Sequence, residues 1–315
     1  MNLAQESLLQ DFGRLVVWYP FRWLTQALPL RTTFRLFEAC GDLAFVLYRK
    51  KRELLDRRLG LALPHFTPAQ RRTAIRASFR NYFADRFLIN LVPGLDRYRI
   101  DRIACLEGEE HLSQALAQGH GVVLVHAHFG PSQLPLIYLG YKGYPMAQMG
   151  LREAGETSLM GQATQELRLR LENQMPVTHF YANDYLRPVV RWLGRGGILM
   201  TAGDGTGGGR RVGKFHPVPL LGHQMPMPLG PFHLAAINQS PILAVIALRQ
   251  SCGWYRIVIN PLKTAHRDPK AAQQEFVAWL EPYLTGDPGQ WHFWDEWDLE
   301  TESNAGSSSA AGTER

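Results

Sequence analysis

Two histidines, His126 and His128, close an apolar run and are the first side chains in this chain that could do chemistry. In an extended segment residues i and i+2 point the same way, so the pair could hold a metal together. No third ligand accompanies them in a recognisable spacing; His179, His216 and His223 lie elsewhere in the sequence, and no metal or other cofactor is expected. A serine nucleophile is no better supported, because there is no G-x-S-x-G elbow. What remains is a histidine acting as general base, its other ring nitrogen held by a nearby side chain. Gln133 lies within the first turn of the element that follows and can look back towards His128. The backbone N–H groups of Phe129 and Gly130, beside a positive helix end, could hold a developing oxyanion. Standing alone, His128 would equally suit a satisfied histidine at a strand end.

A second stretch runs Gly203-Asp204-Gly205-Thr206 and on through Arg210, Arg211, Gly213 and Lys214. Such a loop can bring backbone amides and three cations to a phosphate, with Asp204 lining an acceptor's side. Gly208 to Lys214 even has the G-x-x-x-x-G-K spacing of a nucleotide phosphate loop. Phe215 stands where serine or threonine should hold magnesium, and His216-Pro217-Val218-Pro219 cannot open the helix that loop requires, so the nucleotide reading is rejected. A plain surface loop is the alternative.

The elements that must position these residues alternate. Val122 to Val125, after Gly119-His120-Gly121, read as a strand buried on both faces; Pro131 suits the first position of a helix that Gly140 and Gly143 end. Further strands are expected at 102–106, 144–149, 177–180, 197–202, 241–248 and 255–259, with helices at 108–118, 156–173, 186–193, 232–238 and 271–284 and a loop at 203–230. This succession argues for an α/β fold with a single mixed, mostly parallel sheet flanked by helices.

Ahead of it, residues 8 to 48 carry Trp18, Tyr19, Phe21, Trp23, Phe34, Phe37, Phe45 and Tyr48 among arginines. Pro20 and Pro29 split this region, and no stretch is long and apolar enough to span a bilayer. Amphipathic helices lying in a membrane interface fit it; core helices of a soluble domain are the alternative. Residues 49 to 92 read as basic helices, Thr67-Pro68 opening one whose buried face would include Phe79, Tyr82, Phe83 and Phe87. The expected division is therefore 1–48 interfacial helices, 49–299 an α/β domain with a helical lead-in to 100, and 300–315 a disordered tail.

Composition agrees with a folded chain having anionic partners. The chain has 315 residues, 45% of them apolar, and a net charge of +6. Three scattered cysteines suit neither a zinc knuckle nor a disulfide framework, and no cleavable signal is evident.

Several segments in one order resemble the lysophospholipid acyltransferase superfamily, within it the branch of bacterial lipid A late (lauroyl/myristoyl) acyltransferases. They are Ala127-His128-Phe129-Gly130, the glycine-rich loop with Asp204, Val218-Pro219-Leu-Leu-Gly222 and Pro228-Leu-Gly230-Pro231. Ala77 to Asn81, Leu106 to Leu112, Ser240 to Val245 and the tryptophan-rich end also look like that branch, so the likeness covers about residues 10 to 298. The resemblance implies transfer of a fatty acyl chain from acyl carrier protein or coenzyme A to a lipid acceptor, on the cytoplasmic face of a bacterial inner membrane and without nucleic acid. It implies His128 as the base, Phe129 and Gly130 at the oxyanion, and Asp204, Arg210, Arg211 and Lys214 near the acceptor's phosphate. The family pattern is H-x-x-x-x-D/E, and here the last position is Gln133. Glutamine can accept the Nδ1 proton but brings no charge to an imidazolium. On that departure turns the choice between a working enzyme, with Gln133 as orienter, and a lipid-binding or scaffold relative that has lost turnover.

Overall fold

The computed structural model describes residues 8–151, 158–205, 212–264 and 268–295. Its first third is helical: α1 (Leu8–Val16), α2 (Arg22–Ala27), α3 (Leu30–Leu47), α4 (Arg49–Ala62) and α5 (Pro68–Leu88). Pro29 precedes α3 and separates it from α2, as expected. Pro20 does not break the chain; it sits inside a π-helical turn, Val17–Phe21, that carries α1 into α2. The wider turn tolerates a ring and a missing N–H, and such turns recur at functional sites. Opening α5, Thr67 Oγ1 accepts from the Gln70 N–H, Gln70 Oε1 accepts from the Thr67 N–H, and Pro68 takes the first turn.

From residue 104 the chain alternates: β1 (Ala104–Glu107), α6 (Glu109–Leu116), β2 (Val122–His126), α7 (Leu134–Tyr141), β3 (Met146–Gly150), α8 (Leu159–Glu172), β4 (Thr178–Tyr181), α9 (Arg187–Gly194) and β5 (Ile198–Ala202). It ends with β6 (Phe215–Leu220), β7 (His223–Pro228), α10 (Gly230–Asn238), β8 (Ile242–Ser251), β9 (Trp254–Pro261) and α11 (Pro269–Gly286). Seven strands form one sheet in the order β1-β9-β8-β2-β5-β3-β4. Every neighbouring pair in it is parallel except β8 and β9. Strand β2 lies in the middle and is buried throughout. Val123 and Val125 pack into one core with α10 and α11; Val122 and Leu124 pack into the other, with α7 and the aromatics of α3 and α5. A strand covered on both faces needs apolar side chains in every position, which is why its sequence reads as a run and not as an alternation.

Two further expectations change. The stretch read as a loop contains a hairpin, β6 against β7, disguised by Pro217, Pro219, Pro226 and Pro228. A two-stranded ribbon has two outer edges, so its prolines need not remove a central ladder bond. Leu221 and Gly222, at φ of 51° and 78°, form its turn. Helix α7 begins at Leu134, not Pro131, and Gln133 is its N-cap residue.

The N-terminal aromatics divide between core and surface. Phe34 and Phe37 are buried, with Phe37 5.3 Å from Phe87 and Phe34 5.9 Å from Tyr255 between ring centres. Phe12, Trp23 and Tyr48 are exposed. Among the described residues no helix is long and apolar enough to cross a membrane. Helices α3 and α5 touch backbone to backbone at Gly41, where an added Cβ would lie 2.6 Å from Arg80 Cα. Gly41→Ala is therefore expected to cost about 1–3 kcal/mol by forcing the helices apart, read as a lower urea midpoint at unchanged slope.

Candidate functional site

The carboxyl ends of β2, β5, β3 and β4 open onto a cavity of about 1040 Å³, where open parallel sheets bind their ligands. His126 and His128 come to its wall from β2, Thr201, Ala202 and Gly205 from β5 and its loop, Gln148 and Met149 from β3, and His179 and Phe180 from β4. Trp18 of the π-turn and Tyr82, Asp85 and Arg86 of α5 close the other side. Tyr82, expected in the buried face of α5, is 42% exposed and belongs to this wall.

His128 is held from three directions. Its Nδ1 lies 2.9 Å from Asp204 Oδ1, and its backbone N–H donates to Asp204 Oδ2 at 2.8 Å. Trp291 Nε1–H donates to the same Oδ2 at 2.9 Å. The Phe293 ring stacks on the imidazole, 4.2 Å between centres and 24° between planes. A carboxylate on Nδ1 assigns the proton there, leaving Nε2 as the basic nitrogen. Burial pushes the Asp204 carboxyl up, but the charge of His128 and the N–H groups donated to it outweigh burial, so it titrates below the ordinary aspartate range. His126, 5.4 Å from His128 between ring centres, is driven down to about 4 by burial and next by its neighbour, and stays neutral. Among the described residues no three His, Cys, Asp or Glu side chains converge as a metal site would require.

Several sequence-based assignments need correction. Asp204, not Gln133, occupies His128 Nδ1; Gln133 stands at the N-cap position of α7, without a side-chain capping hydrogen bond, and contributes to the cavity wall. The reason is geometric: residues 129–133 form a turn, not the first turn of a helix, while β5 lies beside β2 and delivers its next loop to the imidazole. Gly130 N–H is not free for an oxyanion, because it donates to the Gln290 carbonyl at 2.7 Å. The Phe129 ring is buried and packs towards Tyr283, which leaves the expectation for its N–H unaltered. Lys214 is exposed and outside the cavity wall, although Val212 and Gly213 belong to it. Arg210 and Arg211 lie outside the described residues.

The sequence reading missed the C-terminal turn, Trp291 to Asp295. Besides Trp291 and Phe293, His292 N–H donates to the His128 carbonyl at 2.9 Å, and its Nε2 meets the Gly130 carbonyl at 2.9 Å. The density of aromatics at 291–297 was a signal for packing, but nothing local pointed to His128.

A family model described as bacterial lipid A biosynthesis acyltransferase matches residues 9–296 of the chain. The chain belongs to that family. Among curated proteins, the lipid A biosynthesis lauroyltransferase of Escherichia coli (strain K12) is 26% identical over 129 residues, which is 41% of this chain and 40% of that relative. The chain thus matches less than half the length of the curated relative. In this family member, Asp204 offers two oxygens to three donors, and an amide would offer one. Asp204→Asn is expected to cost about 1–3 kcal/mol at neutral pH. A carboxyl with a lowered folded-state pKa stabilises above the unfolded value, near 4, and loses that contribution as pH falls through the folded one. Urea unfolding of wild type and variant should therefore converge in acid.

Proposed function

We propose that this member of the family transfers a fatty acyl chain from a thioester, on acyl carrier protein or coenzyme A, to a hydroxyl or amine of a lipid A-like or lysolipid acceptor. The observation that carries this reading is the 2.9 Å contact of His128 Nδ1 with Asp204 at the mouth of a cavity that also has apolar walls. His128 Nε2 takes the proton from the acceptor as its oxygen or nitrogen bonds to the acyl carbon and the C–S bond breaks. Asp204 stabilises the imidazolium by charge, which Gln133 cannot do. The acid missing at position 133 is thus supplied from the loop after β5, and this favours an enzyme over a lipid-binding or scaffold relative.

Other features fit the same reading. Ile137, Met149, Met175, Phe180, Leu234 and Ile237 line the cavity and suit an acyl chain; Arg86 adds positive charge. Arg210, Arg211 and Lys214, which follow Asp204 closely in sequence, are read as contacts to an acceptor's phosphate on the strength of their charge. Phe12, Leu15, Val16, Trp23 and Leu24 are exposed on α1 and α2, beside the π-turn that sends Trp18 into the cavity. That placement suits a cavity opening towards a membrane surface, with rings at headgroup depth. We assign it to the cytoplasmic face of the inner membrane.

The reading predicts that His128→Ala lowers acyl transfer in purified membranes by at least about 10²-fold, while Gln133→Glu changes it by less than about tenfold. Lipid mass spectrometry with an acyl carrier protein or coenzyme A donor makes the measurement. An inactive wild type that Gln133→Glu strongly activates would instead identify a degenerate relative.

A further inference from the structure

One titratable group in the cavity wall has no part in the chemistry above. Asp85 lies near the end of α5, and its side chain is 21% exposed. Among the described residues nothing donates a hydrogen bond to it. The nearest candidate is His292, whose Nε2 is 3.6 Å from Asp85 Oδ2. That nitrogen's proton is committed to the Gly130 carbonyl at 2.9 Å, and burial holds the imidazole down at about 4, so the two form no ion pair. The other ionisable groups around this part of the cavity are Tyr82 and Arg86 on the same helix, His126 and His128 at the end of β2, Lys51 on α4, and Asp295; Tyr255 of β9 also feels the Asp85 charge. Lys51 is already paired with Asp295 at 2.9 Å. Burial accordingly pushes Asp85 up to about 7, with the charges of His128 and Arg86 pulling the other way. Near neutral pH a large fraction of Asp85 carries a proton.

Thioester cleavage needs such a proton. A thiol titrates near 8.5, so a carboxyl near 7 protonates a departing thiolate with an equilibrium advantage of roughly thirtyfold. His128 is poorly placed to serve both ends of the reaction alone. The Nδ1 contact to Asp204 and the stacked Phe293 ring keep its imidazole from swinging between acceptor and sulfur.

We propose that Asp85 is a second catalytic residue of this cavity, giving a proton to the sulfur that leaves the acyl donor while His128 takes one from the acceptor. The proposal rests on acyl transfer from a thioester. The acceptor's proton passes to His128 Nε2, the acceptor atom bonds to the acyl carbon, and the C–S bond breaks with its electron pair on sulfur. Sulfur takes the Asp85 proton. His128 then returns its proton to Asp85, directly or through one water, so both groups end as they began.

The test uses the full chain and two acyl donors of equal chain length: acyl-coenzyme A, an alkyl thioester, and an aryl thioester whose thiolate leaves without a proton. Asp85→Asn keeps the size and polarity of the carboxyl. It is expected to lower kcat by about 10²-fold with acyl-coenzyme A and by less than about threefold with the aryl donor, KM being little changed for either. In wild type, kcat should fall above about pH 7 with acyl-coenzyme A and show no such fall with the aryl thioester. Equal losses with both donors, or no loss with either, overturn the proposal. Should Asp85→Asn fail to fold by circular dichroism, the wild-type profiles decide: identical basic limbs overturn it. Failure of the acyl-transfer reading is distinct, since wild type would then transfer from neither donor, and both proposals fall together.

Discussion

A single buried carboxylate ties this site together. Asp204 has almost no contact with water, and removing a charge from water is costly unless N–H groups replace the lost hydration. They come from the His128 backbone, its imidazole and the Trp291 indole. Three distant segments, the ends of β2 and β5 and the C-terminal turn, must therefore meet before Asp204 is satisfied. The glycines on either side have a packing reason as well. A Cβ on Gly203 would lie 2.5 Å from Val125 Cγ1, and one on Gly205 2.7 Å from the Phe293 ring. These two glycines stand where the chain closes on itself.

The C-terminal turn acts as a second wall to the site. Its backbone pairs with residues 128–130, taking the Gly130 N–H and donating to the His128 carbonyl. The helical lead-in anchors it in turn: Asn81 Nδ2 donates to the Gly289 carbonyl at 2.8 Å, and Arg58 NH1 to the Trp294 carbonyl at 3.1 Å. This bracing immobilises the imidazole and takes up an amide, the Gly130 N–H, that is then not available to an oxyanion. The imidazole is held in place at the expense of that donor.

The site also separates two carboxyl groups by environment. Asp204, surrounded by donors and facing an imidazole, is held low; Asp85, largely shielded from water and without donors, is pushed up to about 7. Carboxyls pushed apart in this way commonly take different tasks in one reaction, one holding charge and the other handling protons. Neither value follows from residue type; both follow from what is packed around each side chain.

The sequence by itself determined the alternation of strands and helices, the buried central strand and the histidine at its end. These depend on local periodicity, on apolar runs and on proline and glycine at element ends, all legible within a dozen residues. It also brought the glycine-rich loop and His128 into one site, because both follow buried strands of one sheet. Only the tertiary structure decided that Asp204 and not Gln133 reaches Nδ1, since that turns on β5 lying next to β2 although 76 residues separate Asp204 from His128. The hairpin was hidden because its prolines imitate a loop, and a ribbon edge tolerates them. Asp85, Trp291 and Phe293 were hidden for a different reason. A carboxyl's titration and a ring's stacking partner are properties of surroundings assembled from remote parts of the chain, and no local spacing encodes them.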